Sequence, residues 1–171
     1  MSSSWYTIFY MKHQSDSAKD ETLYYIEEAA QVAKQATCQR SKCGSIVVKY
    51  GEVIGEGFNS PPYGLESQRR CEGEKNDYSP KVTDKTCCVH AEQRAIMDAL
   101  RRNAEKILGS RLYFIRLNEN GEKEFAGAPY CTICSKMALD VGIEEFVLWH
   151  QEGIRAYGIQ EYNTLSYAYQ S

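Results

Sequence analysis

Residues 90–104, HAEQRAIMDALRRNA, are the stretch from which the fold can be worked out. Their apolar residues recur at three- and four-residue spacing on one face, and no Gly or Pro interrupts them, so they predict an amphipathic helix. His90 and Glu92 stand two residues apart at its start. They leave the helix in different directions, so the imidazole can bind an ion while the carboxylate stays free.

The segments around this helix alternate between helix and strand patterns. We expect helices at 17–37, 131–140 and 158–168, a hairpin of strands 44–50 and 53–58 with a turn at 51–52, and further strands at 111–117 and 145–149. This order predicts an α/β fold in which helices pack on a mixed sheet. Residues 59–89 show neither the helical nor the alternating strand pattern. A loop of this length is rare unless it is functional or held in place by other contacts.

Length and composition bound the class of protein. The 171 residues suit one domain over 1–171 with a core at about 17–169, and 43% hydrophobic and 25% charged residues are typical of soluble proteins. A net charge of −3 supplies no overall positive field for nucleic acid and argues against a nucleic-acid partner. The first residues do not resemble a secretory signal, and no apolar run is long enough for a membrane span. We therefore expect a cytoplasmic protein.

Cysteine use points to metal binding. The chain has seven cysteines, an odd number without a secretory signal, which argues against a disulfide framework and for thiolate ligands. Cys131 and Cys134 form a Cys-x-x-Cys pair at the start of a helix, where the dipole favours thiolates. With His90 as a third ligand, a tetrahedral zinc would keep an open position for water, as in catalytic sites.

Glu92 completes a pattern that is specific when its parts occur together. Neither His-x-Glu nor Cys-x-x-Cys decides a function alone, but H-x-E followed by P-C-x-x-C is the signature of zinc deaminases, with the glutamate as general acid and base. Here Tyr130 stands between Pro129 and Cys131. The residues therefore predict hydrolytic removal of an exocyclic amine from a nucleobase.

The chain resembles the cytidine/deoxycytidylate deaminase superfamily, most closely its deoxycytidylate (dCMP) deaminase branch, over most of residues 20–150. Besides the zinc motifs, residues 38–44 (CQRSKCG) are similar to that branch's C-x-R-x-x-V-G segment, and residues 57–62 (GFNSPP) to its G-Y-N-G-x-P segment. The resemblance implies the cytidine deaminase-like three-layer α/β/α fold with a mixed central sheet. It also implies conversion of dCMP to dUMP and assembly as a homo-oligomer.

The same resemblance suggests substrate-binding residues. It makes Asn59 the candidate for the substrate sugar and Arg40 the candidate for a 5′-phosphate, and both residue types suit those partners. Alternatively, Asn59 only ends a strand and Arg40 is a solvated loop charge. Ala91 and Tyr130 are further candidates for the substrate pocket, although Tyr130 could instead pack under the helix.

A second, structural zinc is also implied by the resemblance, with Cys38, Cys71 and Cys88 as ligands that would pin the loop 59–89. Cys87 could replace or join Cys88, and Asp84 or Cys43 could be the fourth ligand. The alternative is unpaired thiols in a mobile loop.

Two departures from the family concern the long connection 118–128 and the fifth strand, which we expect to be short, absent or formed by residues 166–169.

Two alternative functions are left open by the residues. The same chemistry could act on a nucleoside, on a free base such as guanine, or on a base in single-stranded nucleic acid or tRNA. A zinc-stabilised binding protein without turnover is a second alternative, although such a protein has no use for a free carboxylate at Glu92.

Overall fold

The computed structural model describes residues 16–170, with side chains from residue 19 onward. Residues 1–15 and 171, which the predicted domain 1–171 includes, lie outside the described part. The described part contains four α-helices: α1 (Asp16–Ala33), α2 (Ala91–Asn103), α3 (Thr132–Asp140) and α4 (Ile159–Tyr167). Six strands are present in the described residues: β1 (Lys42–Lys49), β2 (Glu52–Phe58), β3 (Arg111–Leu117), β4 (Lys123–Glu124), β5 (Glu145–His150) and β6 (Gly153–Gly158).

The strands form one mixed sheet in the order β2-β1-β3-β5-β6, with β4 paired to β3 beside this path. The β3–β5 pair is parallel, and the other pairs are antiparallel. The parallel pair requires a crossover, which α3 supplies. The predicted α/β fold with a mixed sheet is confirmed.

Helices cover both faces of the sheet because successive strand residues point to opposite sides. On β3, Leu112 and Phe114 join the core under α2, α3 and α4, whereas Tyr113 and Ile115 join the core under α1. The strands are therefore buried on both faces, as expected for a central layer. This is the predicted three-layer α/β/α arrangement.

The fifth strand differs from its expectation. It is β6, which forms an antiparallel hairpin with β5, whereas residues 166–169 contain the end of α4. The expectation of a short, absent or 166–169 strand was wrong because β6 is mostly exposed and carries no alternating apolar pattern. Gly153, at φ 132°, makes the tight turn that a residue with a side chain rarely adopts.

The first helix ends earlier than predicted, at Ala33 rather than residue 37. The chain leaves the helix here because the backbone N–H of Thr37 donates to the carbonyl of Asn59 instead of continuing the helical pattern. The long loop is closed at its base by a bridge between Ser60 and Val89. Its two ends therefore meet at the sheet, which brings its cysteines near residues 38–40.

Candidate active site

His90, Cys131 and Cys134 come together from two different helices. His90 immediately precedes α2, Cys131 immediately precedes α3, and Cys134 lies in its first turn. The Nδ1 atom of His90 lies 3.3 Å from the sulfur of each cysteine. A tetrahedral zinc with ordinary Zn–N and Zn–S bonds would space these atoms by about 3.5 Å, so the three side chains fit zinc.

The electrostatics of the group favour a metal-binding thiolate. Hydrogen bonds from Cys134 and His90 lower the pKa of Cys131 to about 5, although burial acts in the opposite direction. The backbone N–H of Cys134 also points at the Cys131 sulfur, at 3.3 Å. The start of α3 therefore stabilises negative charge on Cys131, as expected at a helix N-terminus.

Glu92 lies beside this group in the first turn of α2, with only 6% of its surface exposed. Burial, followed by the nearby Cys131 thiolate, raises the pKa of Glu92 to about 7. A carboxyl group with such a pKa can take up and release a proton near neutral pH, which is what a general acid and base requires.

A small cavity of about 40 Å³ is lined by Glu92 and by residues from β3, β5, α4 and the segment that precedes α3. That segment contributes Tyr130 and residues 125–128 to the cavity wall. The cavity has room for a water molecule or two and not for a nucleotide. Phe125 and Tyr130 are the half-exposed aromatic residues of this lining.

The wall 125–128 is attached to the β5–β6 hairpin. The backbone N–H of Ala126 donates to the carbonyl of Trp149 at 2.7 Å, and His150 Nδ1 lies 3.0 Å from the Ala126 carbonyl. Since a carbonyl can only accept, His150 donates here, and its Nε2 accepts from the Tyr157 hydroxyl at 2.8 Å. No sequence motif marked His150, but the structure gives it a positioning role.

Cys38, Cys71 and Cys88 form a second group, in which all three sulfurs lie within 4.8 Å of one another. The sulfur of Cys87 lies 3.7 Å from that of Cys71, close to the separation of about 3.8 Å that two sulfurs on one tetrahedral zinc would have. Burial would raise the pKa of Cys71, but hydrogen bonds from the Gln39 backbone and Arg69 lower it to about 7. Cys38, Cys71 and Cys88 therefore also fit zinc, whereas Cys87 lies beside Cys71 and outside this group.

The family to which the chain belongs follows from comparison with known proteins. The model of the cytidine and deoxycytidylate deaminase zinc-binding region matches residues 19–150. The deoxycytidylate deaminase of Mycobacterium phage D29 is 30% identical over 137 residues, which cover 77% of this chain and 95% of that protein. The chain belongs to the cytidine and deoxycytidylate deaminase family. The predicted family and the predicted deaminase activity are thereby confirmed.

Solved structures agree with this assignment. The dCMP deaminase of cyanophage S-TIM5, in complex with dCMP and dUMP, matches with a TM-score of 0.54 and 26% identity, covering 78% of this chain and 82% of that chain. The cytidine deaminase of Burkholderia pseudomallei matches with a TM-score of 0.54 and 18% identity, covering 82% and 94%. This second match supports the fold alone.

Asn59, a predicted substrate residue of this deaminase, is buried at the end of β2 and holds the start of β1. Its Oδ1 accepts from the backbone N–H of Cys43 at 2.8 Å, and its Nδ2 donates to the carbonyl of Ser41 at 2.9 Å. One amide hydrogen and one oxygen lone pair are left after these bonds. The structure thus shows a clamping role for Asn59, and its contact with a sugar stays a prediction.

Arg40, the predicted phosphate residue, lies against the cysteine-bearing loop. Its Nε donates to the carbonyl of Cys71 at 2.7 Å, and its Nη2 donates to the carbonyl of Gly73 at 2.8 Å. The guanidinium therefore fixes the backbone around the second cysteine group. Binding of a phosphate by Arg40 stays a prediction.

The remaining predicted residues lie in different environments. The side chain of Ala91 is fully buried in the core under α2, whereas Tyr130 is half-exposed on the cavity wall. Cys43 and Asp84, the alternative fourth ligands, are not in the second cysteine group. Cys43 lies beside Arg116, and Asp84 accepts hydrogen bonds from Thr86 in the loop.

Arg116 is a cavity residue that the motifs did not reveal. The signal was present in β3, because Leu112, Phe114 and Arg116 alternate and must share one face. What could not be read from the sequence was that Glu92 would lie under the same face.

Proposed function

We propose that this protein converts dCMP to dUMP by hydrolysis, with His90, Cys131 and Cys134 as zinc ligands and Glu92 as the catalytic acid and base. The observation that carries the proposal is the buried carboxyl of Glu92 beside three side chains that could hold a zinc ion and would leave a fourth position for water. The choice of dCMP is supported by the D29 phage relative and by the S-TIM5 structure, whose names state that substrate class.

The chain's own groups supply the proton transfers. When bound, the zinc supplies the positive charge that makes a water molecule acidic at neutral pH. Glu92 accepts a proton from the attacking water and passes it to the ring nitrogen; it then takes the remaining proton from the hydroxyl group added to the ring carbon and passes it to the leaving amine. Water is consumed and ammonia is released, so the amine-bearing carbon becomes a carbonyl carbon. The dry surroundings of Glu92 strengthen its interactions with the charges that develop.

A substrate panel tests the proposal. Zinc-loaded protein is incubated with dCMP, deoxycytidine, cytidine, guanine, a cytosine-containing single-stranded oligonucleotide and tRNA, and the release of ammonia is measured. We expect turnover of dCMP with the highest kcat/KM of the panel. Absence of dCMP turnover in zinc-loaded protein would refute the substrate, and turnover of another member alone would transfer the proposal to that compound.

We also propose a second, structural zinc held by Cys38, Cys71 and Cys88, with Cys87 as the fourth ligand. The sulfur of Cys87 lies 3.7 Å from that of Cys71, which supports Cys87 over Asp84 and Cys43, and Cys87 would complete the site by moving towards Cys38 and Cys88. Four thiolates would close the coordination sphere, which is the pattern of a structural rather than a catalytic ion. The ion would join the segment after α1 to the middle and to the end of the long loop.

Two further parts of the proposal rest on the sequence alone: a cytoplasmic location and assembly as a homo-oligomer without nucleic-acid partners. Within residues 16–170, no helix has the length and apolar character that crossing a bilayer would demand.

A further inference from the structure

Arg116 lies on the sheet face that forms the floor of the cavity next to Glu92. On β1, its cross-strand neighbour is Cys43, and on β4 it is Glu124. Its Nη2 lies 3.4 Å from the Tyr130 hydroxyl, a weak hydrogen bond at that distance. The guanidinium therefore sits between the start of β1 and the wall that precedes α3.

Burial lowers the pKa of the Arg116 guanidinium, but the nearby Cys43, Tyr130 and Glu124 raise it overall, without any described acidic group at ion-pair distance. Its Nε atom is buried without a hydrogen-bond partner, and no ion pair among residues 19–170 includes Arg116. Glu124 is the nearest cross-strand acid, but the two side chains form no ion pair. Burial of a charge that lacks an ion-pair partner is costly, so a guanidinium that faces a cavity with its Nε unsatisfied suits an anionic ligand.

Arg116 is also the one cation among the described residues that line this cavity. Arg40, by comparison, uses its Nε and Nη2 to hold backbone carbonyls of the loop. In a pyrimidine nucleotide, the phosphate is the group that carries full negative charge, whereas the base offers a neutral carbonyl. A neutral oxygen would leave the guanidinium uncompensated, and a phosphate matches its fork of donors.

We propose that Arg116 binds the 5′-phosphate of the substrate and thereby makes this enzyme prefer a nucleotide to a nucleoside. This inference rests on the proposed deamination of a pyrimidine nucleotide and assigns its phosphate to a residue of β3. Tyr130 would turn its hydroxyl away from Arg116 or share the phosphate with it when the ligand enters.

The test compares kcat/KM for dCMP with kcat/KM for deoxycytidine in wild type, Arg116→Met and Arg116→Lys. Methionine keeps the apolar stem, and lysine keeps the charge without the fork. Loss of a hydrogen bond to a charged group predicts that the dCMP-to-deoxycytidine ratio falls roughly 10- to 150-fold in Arg116→Met, with a smaller fall in Arg116→Lys. If Arg116 had a purely structural role, its substitution would lower kcat/KM equally for dCMP and for deoxycytidine, and the ratio would not change.

Arg111→Met is the matched control, because Arg111 lies on the same strand but pairs with Glu145 at 2.5 Å. We expect it to keep the wild-type ratio. Arg40→Met tests the competing assignment of the phosphate to Arg40. If the dCMP-to-deoxycytidine ratio collapses in this variant and is retained in Arg116→Met, the inference is overturned. A wild-type enzyme with equal kcat/KM for both substrates would overturn it too.

Calorimetric titration with dUMP and deoxyuridine separates this inference from the proposed function, since neither ligand needs turnover. Arg116→Met should weaken dUMP binding and leave deoxyuridine binding unchanged. If wild type deaminates dCMP but Arg116→Met binds dUMP as wild type does, the function stands and the inference fails. If wild type binds no dUMP and does not deaminate dCMP, both fail.

Discussion

Glu92 shows how the environment of one residue creates chemistry that its type alone does not have. A solvated glutamate is ionised at neutral pH, but burial at the start of α2 raises the pKa of Glu92 to about 7. Burial of this carboxyl group is unfavourable, and it occurs beside the three candidate metal ligands. A buried carboxyl group with a raised pKa beside metal ligands is expected at a catalytic site, whereas a structural metal site does not need one.

Substitution Glu92→Gln should abolish turnover without removing the metal. Glutamine keeps the size of the side chain but cannot shuttle protons, so we expect kcat to fall by about 10²- to 10⁴-fold. Steady-state kinetics and zinc analysis of the same preparation check this, with the exposed Glu122→Gln as control. Wild-type kcat in a zinc-replete Glu92→Gln protein would contradict the mechanism.

At the scale of elements, the position of the metal group depends on how closely α2 lies on β2. Glycines at positions 55 and 57 of β2 face the helix, and a Cβ at Gly57 would collide with the backbone of Ala91 and Ala95. The missing side chains let the helix backbone approach the sheet. His90 and Glu92 lie at the start of α2. The close contact between α2 and β2 therefore also sets how far these two side chains lie from the sheet.

Substitution Gly57→Ala should therefore push the start of α2 away from the sheet. We expect a loss of about 1–3 kcal/mol in the free energy of unfolding from overpacking, together with weaker zinc retention. Urea denaturation and competition with a chelator measure the two effects. Gly158→Ala is the control, because nothing lies within 4 Å of a Cβ built there; equal losses in both variants would refute the explanation.

The β5–β6 hairpin matters for the site although it carries no ligand. Through His150 and Trp149 it holds the Ala126 backbone, and hence the wall 125–128 of the cavity. The wall itself comes from the long connection between β3 and α3, which contains β4. The long connection noted in the sequence thus forms part of the pocket.

At the scale of the whole molecule, the second cysteine group joins parts of the chain that local structure leaves apart. Cys38 follows α1, Cys71 lies in the middle of the long loop, and Cys87 and Cys88 lie near its end. Most of the loop between them is exposed and has short 3₁₀ turns as its regular structure. A metal ion would stabilise this segment where apolar burial cannot.

Substitution Cys71→Ser should lower the zinc content from two ions per chain to one and destabilise the protein. By analogy with other cross-links that close a loop, we expect a loss of about 2–4 kcal/mol, or roughly 10 °C in Tm for a chain of this size. Elemental analysis and thermal unfolding measure both. Cys43→Val, which removes a thiol outside both groups, should keep two zinc ions. A wild-type content of one zinc per chain would remove the second site.

Sequence alone determined the local features of this protein. The helix at residues 90–104, the strand at residues 111–117, the mixed α/β order and the pairing of His90 with the Cys-x-x-Cys motif were all predictable, because periodicity and motif spacing are local properties. The deaminase family could be inferred from the same residues, because the zinc ligands and the catalytic glutamate occur at fixed places in a recognisable motif.

Only the tertiary structure decided which distant residues share a surface. It placed Arg116 in the cavity, used Arg40 and Asn59 to hold backbone groups, and brought Cys38, Cys71 and Cys88 together from separate parts of the chain. It also formed β6, whose exposed residues have no apolar pattern and whose register is set by its pairing with β5. The physical reason is that strand pairing and helix packing bring together residues far apart in the chain, and no local pattern records those contacts.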